Sequence, residues 1–229
     1  MIKRLAIIPA RSGSKRIKNK NIKNFLGKPI IFYAIDALRK SKLFSKIHVS
    51  TDSNKIKNIV NKKNLKISRL RPKKLSSDTA PTMEVLKYEV KKFLEYNEKY
   101  DEIWLISACN PLLQLKDLKN AAKIFNLKKN EFSLITVTDY PAPIEWAFEI
   151  KKNKLTPVQK NMFKVRSNKL TEKYYDCDSF AIFKPNEIIN SSKFGTNTRF
   201  IPYKINRELA VDIDSLRDWK YAEKLYRLI

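Results

Sequence analysis

The sequence predicts a three-layer α/β fold on a mostly parallel sheet, and three observations carry that expectation. Apolar runs of strand length alternate with stretches of helical periodicity, which marks a sheet covered by helices. The first apolar run ends in a small-residue turn, as when an α/β protein presents a loop at the carboxyl end of a strand. The 229 residues contain no internal repeat, low-complexity linker or composition break, and 43% of them are hydrophobic, enough for one domain with a substantial core.

Taken in order, Leu5–Ile8 is the first strand, and Gly27-Lys28-Pro29 punctuates the entry to a helix over Ile31–Arg39. Lys46–Ser50 reads as a strand, Asn54–Lys63 as a helix, Thr82–Tyr96 as a helix and Ile103–Ser107 as a strand. Leu115–Phe125 returns to helical spacing, and Ser133–Thr138 to strand. There the pattern changes. Tyr140-Pro141-Ala142-Pro143 stops any helix, Lys151-Lys152-Asn153-Lys154 reads as the polar turn of a hairpin, and Tyr174–Phe183 returns as a strand. Residues 140–175 thus read as an excursion from the sheet, suited to covering a site or meeting a second subunit. A helix over Leu216–Leu228 closes the chain.

The loop after the first strand is the strongest chemical signal. Ala10-Arg11-Ser12-Gly13-Ser14-Lys15-Arg16 combines small residues with cations, and Lys20-Asn21 follow. Gly13 can take backbone angles closed to other residues, and Ser12 and Ser14 leave room for close approach. Backbone N–H groups there can face phosphate oxygens while Arg11, Lys15 and Lys20 supply charge-assisted hydrogen bonds. The sequence has neither the P-loop pattern nor the G-x-G-x-x-G dinucleotide fingerprint, so a different polyphosphate-binding loop is implied.

The second signal is Asp212-Ile213-Asp214 before the last helix. In an extended segment residues two apart share a face, so both carboxylates point one way. Their repulsion calls for a cation, and Mg²⁺ commonly bridges one or two carboxylates to substrate phosphates. Ser215 and Asp218 can also form a capping box for the helix, and the two roles are compatible.

The net charge of +25 invites a nucleic-acid partner, but the lysines are spread along almost every segment. Such a field favours anionic small substrates, and no nucleic-acid function is expected. Cys109 and Cys177 lie far apart and His48 is the single histidine, which argues against a disulfide framework or a Cys/His zinc site. No apolar run approaches the roughly 20 residues of a membrane span, and Met1–Leu5 carries no signal-peptide pattern, so a cytoplasmic location is the default expectation.

Together these pieces resemble the cytidylyltransferases that activate nine-carbon acidic sugars, the CMP-sialic acid synthetase family. The residues that carry the resemblance are Ile8–Lys15 with Lys20-Asn21, Val49-Ser50-Thr51-Asp52, Leu70-Arg71-Pro72, Leu75-Ser76-Ser77-Asp78-Thr79 and Asp212-Ile213-Asp214. The pseudaminic acid branch is nearest, through Tyr140–Ile144, Arg166-Ser167, Tyr174-Tyr175-Asp176 and Asp218-Trp219-Lys220. The resemblance implies a Rossmann-like sheet of the nucleotide-diphospho-sugar transferase type, with 140–175 as a dimerisation arm, hence a homodimer. It implies that CTP and a sugar acid give CMP-sugar and pyrophosphate with Mg²⁺ as cofactor. Arg11, Lys20, Asp212 and Asp214 would be catalytic, the two aspartates holding the metal. Ala10, Arg11, Ser12, Gly13, Ser14, Lys15, Lys20, Asn21, Arg71, Asp78, Thr79 and Thr82 would bind the nucleotide. Ser107, Arg166, Tyr175 and Asp178 would meet the sugar.

The chain also departs from the pattern. Ser107 stands where sialic acid enzymes carry glutamine, Tyr175 where the pseudaminic branch has histidine, Asp178 where it has glycine, and Trp146 where arginine is expected. Legionaminic acid, N-acetylneuraminic acid and the eight-carbon Kdo are therefore alternative substrates. Outside that reaction, the alternatives are a basic nucleic-acid-binding domain and a nucleotide sensor without turnover.

Overall fold

The computed structural model describes residues 2–128, 132–190 and 199–229. In chain order the elements are β1 (Arg4–Pro9), β2 (Asn24–Phe25), β3 (Lys28–Pro29), α1 (Ile31–Ser41), β4 (Lys46–Ser50), α2 (Asn54–Asn61), α3 (Thr82–Glu95), β5 (Glu102–Ile106) and α4 (Leu115–Leu127). They continue with β6 (Leu134–Asp139), β7 (Phe148–Lys151), β8 (Lys154–Pro157), β9 (Tyr174–Phe183), α5 (Pro185–Ile189), β10 (Ile201–Lys204) and α6 (Leu216–Tyr226).

Six strands form one sheet in the order β10-β6-β9-β5-β1-β4. β1 pairs in parallel with β4 and β5, and β10 with β6, whereas β9 enters antiparallel between β5 and β6. The result is the expected mostly parallel sheet, with one reversed strand that the periodicity did not reveal. β10 was also unassigned from sequence, being short and interrupted by Pro202.

Strand pleating divides β1 between two cores. Ala6 and Ile8 pack with Ala34, Ile35 and Leu38 of α1, Val60 of α2 and Phe125 of α4. Leu5 and Ile7 pack with Leu86, Val90 and Phe93 of α3 and Ile188 of α5. Burial on both faces makes β1 continuously apolar, and each of its buried leucine and isoleucine side chains contributes about 1.5–3 kcal/mol. A third core joins Phe25, Ile30 and Tyr33 to Ile213 and to Trp219 and Ala222 of α6. The Phe25 and Trp219 rings meet edge-on at 5.4 Å. This packing brings the end of the chain back to the loop that follows β1.

The excursion takes the form of an exposed β7–β8 hairpin outside the main sheet. Its turn residues Lys152 and Asn153 have φ of 49° and 58°, the conformation of a type I′ hairpin turn, as the polar turn predicted. Among the described residues, no helix is long and apolar enough to cross a membrane.

Candidate active site

A cavity of about 690 Å³ opens at the carboxyl ends of β1 and β5. Its lining includes Arg11, Lys15, Arg16 and Lys20 from the first loop, Arg71 and Asp78 from the α2–α3 connection, and Asp178, Asp212 and Asp214. Polyphosphate-type cations and a carboxylate group thus share one chamber.

β4 holds the first loop. Ala10 N–H donates to the Ser50 carbonyl at 2.8 Å, and Asp52 accepts from both Ser12 N–H (2.9 Å) and Ser12 Oγ (2.8 Å). Ser14 N–H turns back to the Ser12 carbonyl at 3.0 Å. Three loop amides expected to be open to phosphate are therefore committed within the protein, and the loop offers its side-chain cations instead. Gly13 also differs from expectation. Its φ lies outside the left-handed region, and a Cβ there would meet nothing within 4 Å. Among the described residues, the glycine with positive φ is Gly27, at 99°, between β2 and β3.

Asn21 is buried beneath this loop, donating to the Arg11 carbonyl at 2.9 Å while its Oδ1 faces the Cys109 Sγ at 3.2 Å. Burial pushes the Cys109 thiol up to about 12, so it sits in the wall as a thiol. Lys20 Nζ donates to the Ile213 carbonyl (2.7 Å) and to Asp214 (3.1 Å), and Arg16 pairs with the other Asp214 oxygen at 2.7 Å. Arg11 and Lys15 both pair with Asp78, which holds its carboxyl below the ordinary range. Arg11, Lys15, Arg16 and Lys20 thus carry protein counter-ions that a phosphate can replace.

Arg71 is 5% exposed, with Nε bonded to Ser76 Oγ at 3.0 Å. Its Nη1 is buried without a hydrogen-bond partner among the described residues. Leaving such a donor unsatisfied costs about 1–3 kcal/mol, so Arg71 is suited to an acceptor on a bound molecule.

The two aspartates alternate as the extended pattern predicted: Asp212 and Asp214 line the cavity, while Ile213 between them is 1% exposed. Burial and the neighbouring Asp214 raise the Asp212 carboxyl above its ordinary value. The capping box coexists with this, since Ser215 Oγ accepts from Asp218 N–H at 3.3 Å and Asp218 accepts from Ser215 N–H at 2.7 Å. Asp214 already carries Lys20 and Arg16, whereas Asp212 has no ion pair among the described residues; the two carboxylates offer the oxygen ligands that a hard divalent cation takes, and its remaining ligands would come from substrate and water.

Asp178 reaches the cavity through a bulge in β9. Ile135 pairs with Ala181 but Val137 pairs with Asp176, so Cys177–Phe180 bow out opposite Thr136. Thr136 Oγ1 repairs the ladder by donating to the Phe180 carbonyl (2.9 Å) and accepting from Phe180 N–H (3.2 Å). Asp178 takes a φ of 48°, which gives a physical reason for glycine at that position in the resembling branch. Asp178 is exposed to the open cavity, and desolvation by the protein around it first, then the charges of Asp176 and Asp212, push its carboxyl up to about 7.

Thr82 and Ser107 line the same cavity, whereas Ala10, Ser12, Gly13 and Thr79 lie outside its lining. Arg166 is exposed on the excursion, Tyr175 packs against Tyr140 with ring centroids 4.9 Å apart and planes tilted by 56°, and neither lines this chain's own cavity. Sequence reasoning assigned no separate role to Arg16 or Asp52, nor to the buried Asn110–Ser179 hydrogen bond (2.6 Å) beside the bulge. Arg16 was legible in the basic run; the Asn110–Ser179 pairing depends on a tertiary contact that spacing does not encode.

Residues 5–218 match the cytidylyltransferase family. The chain is 33% identical over 228 residues to the pseudaminic acid cytidylyltransferase of Campylobacter jejuni, covering 99% of this chain and 97% of the relative. It is 28% identical to the CMP-N,N'-diacetyllegionaminic acid synthase of Legionella pneumophila, over 98% of this chain and 96% of that one. The fold matches the solved CMP:2-keto-3-deoxy-manno-octonic acid synthetase complexed with CTP, with a TM-score of 0.74 at 13% identity over 99% of both chains. With cation loop, buried arginine and aspartate pair in one chamber, this chain belongs to the cytidylyltransferase family and is a CTP-dependent nucleotidyltransferase.

Proposed function

We propose that the chain activates a nine-carbon acidic sugar, pseudaminic acid, by transferring CMP to it from CTP with release of pyrophosphate. The observation that carries this reading is the meeting of Lys20 with Asp214, 194 residues apart in sequence, in the cavity that also holds Arg11 and Arg71. The full-length similarity to a pseudaminic acid enzyme supports the choice of sugar.

In this reaction the sugar's anomeric hydroxyl attacks the α-phosphorus and the bond to the bridging oxygen of pyrophosphate breaks. Positioning and charge stabilisation dominate such phosphoryl transfers. Arg11, Lys15 and Lys20 exchange their carboxylate partners for phosphate oxygens and stabilise the leaving group. Arg71 and Thr82, with the loop around Asp78, hold the cytidine. Asp212 and Asp214 would hold Mg²⁺, which supplies charge neutralisation at the phosphates. Asp178 and Ser107 face the sugar on the β9 and β5 side.

The excursion belongs to a homodimer in this account. Ile150, Leu155, Val158 and Phe163 are 54–76% exposed, an apolar face whose burial against a second copy is favourable. Arg166 on the same excursion would then grip the sugar carboxylate in the partner's cavity, a bidentate match for guanidinium.

The test is product identity. Incubation with CTP, Mg²⁺ and, in turn, pseudaminic, legionaminic and N-acetylneuraminic acid, followed by phosphorus NMR, should yield the CMP-sugar with pseudaminic acid. Exclusive formation of a legionaminic or N-acetylneuraminic product keeps the reaction and replaces the sugar.

A further inference from the structure

A carboxylate outside the cavity contacts several of the segments that build its wall. Glu89 lies on the buried face of α3, 1% exposed, where Val85, Leu86, Val90 and Phe93 are its helix neighbours. Its Oε1 accepts from Ser50 Oγ at 2.7 Å. Its Oε2 accepts from Arg69 Nη2 at 2.7 Å and lies 3.1 Å from His48 Nε2. The Arg69 guanidinium is further held over the Phe93 ring, 5.0 Å from its centroid. Burial opposes the charge on Glu89, yet the adjacent His48 imidazole, the Ser50 hydrogen bond and the nearby Arg69 charge hold its carboxyl below the ordinary range.

Each of these partners belongs to a segment that builds the nucleotide wall. Ser50 ends β4, and its carbonyl receives Ala10 N–H at the start of the cation loop. The next residue, Thr51, accepts Arg71 N–H at 2.7 Å. Arg69 lies two residues before Arg71. Glu89 itself lies on the helix that places Thr82 and Val85 in the lining. One carboxylate therefore ties together the strand end that suspends both cation segments, the Arg71 segment and α3. A purely stabilising role would not require this geometry, since apolar side chains can replace a buried ion pair at little cost.

We infer that Glu89 is a positioning residue for the nucleotide, acting through Ser50 and Arg69 on the placement of the Arg11 loop and Arg71. The inference rests on the reading of the cavity as the CTP site and is independent of which sugar is used. It predicts an effect on CTP affinity, separate from the amount of folded protein.

The experiment measures CTP binding calorimetrically in the presence of Mg²⁺, with KM for CTP and for the sugar alongside. The proteins are the full wild-type chain, Glu89→Gln and Ser50→Ala. Glu89→Gln keeps the shape and removes the charge, and it should weaken CTP binding about tenfold, part of the roughly 100-fold that a 1 Å misplacement can cost. Ser50→Ala removes one hydroxyl that does not line the cavity, and it should weaken CTP binding about threefold, on the same scale. KM for the sugar stays unchanged in both. A merely structural role would lower active protein and thermal midpoint while leaving CTP affinity at the wild-type value, and that outcome overturns the inference. If Glu89→Gln fails to fold, Ser50→Ala decides alone. Weakened binding in the variants supports the inference even where no sugar acid is turned over. A wild-type chain without measurable CTP affinity overturns the inference and the function reading together.

Discussion

Asp214 has two duties, a place in the cavity wall and a pair of cation partners, and its substitution separates them. Asp214→Asn keeps the volume and the chain path while removing the charge opposite Lys20 and Arg16. We expect turnover to fall about 100-fold or more, the scale of losing one group aimed at developing charge. The thermal midpoint should barely move, because surface pairs of this kind contribute little to stability. Steady-state kinetics beside a melting curve check both; near-normal turnover at saturating Mg²⁺ would remove the metal role. Glu89 governs a pH effect on the fold. Its folded carboxyl lies below its unfolded value, so it stabilises above the unfolded pKa of about 4.3, and that contribution is lost as pH falls through the folded value. Denaturant titrations across acid pH should show a shallower loss in Glu89→Gln than in wild type. At this scale the cation loop and the aspartate alternation were legible, because they are local patterns. Gly13 was misread, since a glycine in a loop does not reveal whether its φ is positive. Glu89 was legible in principle as a lone acid on an apolar helix face.

At the scale of elements, α6 is what delivers the aspartates. Ile213 and Trp219 lock into Phe25 and Ile30, so the segment carrying Asp212 and Asp214 is fixed by the third core rather than by the sheet. Trp219→Ala should cost about 3–5 kcal/mol, read as a shift in the urea midpoint. Turnover should fall further than the unfolded fraction explains, because the aspartates lose their register with Lys20. An activity loss that matches the unfolded fraction alone would limit α6 to stability. The main-sheet strands and the helices before Thr138 followed from periodicity, which both-face burial and amphipathic faces impose on the sequence, whereas the two-residue strands β2 and β3 are too short to show it. The direction of β9 did not, because pleating has the same period in parallel and antiparallel strands. Its bulge at Asp178 was likewise hidden, since a register shift belongs to the pair and not to one strand.

For the whole molecule, the cavity gathers residues from both ends of the chain, while the excursion remains outside it. Ile150 and Leu155 of the hairpin are exposed, and in the proposed homodimer they would be covered by the second copy. Sedimentation at micromolar concentration should give a dimer, and the double change Ile150→Lys with Leu155→Lys should shift it to monomer; a wild-type monomer would contradict the arm's role. The net charge of +25 has a plain consequence at this scale, a field that draws anionic substrates and weakens with salt. The central claim, that CTP is cleaved at this cavity in a sugar-dependent reaction, is tested most directly by pyrophosphate release with CTP and Mg²⁺, with and without pseudaminic acid. The account predicts release only when the sugar is present, and its loss in Asp214→Asn. Sugar-independent release, or none across pseudaminic, legionaminic, N-acetylneuraminic and Kdo acids despite CTP binding, would contradict it.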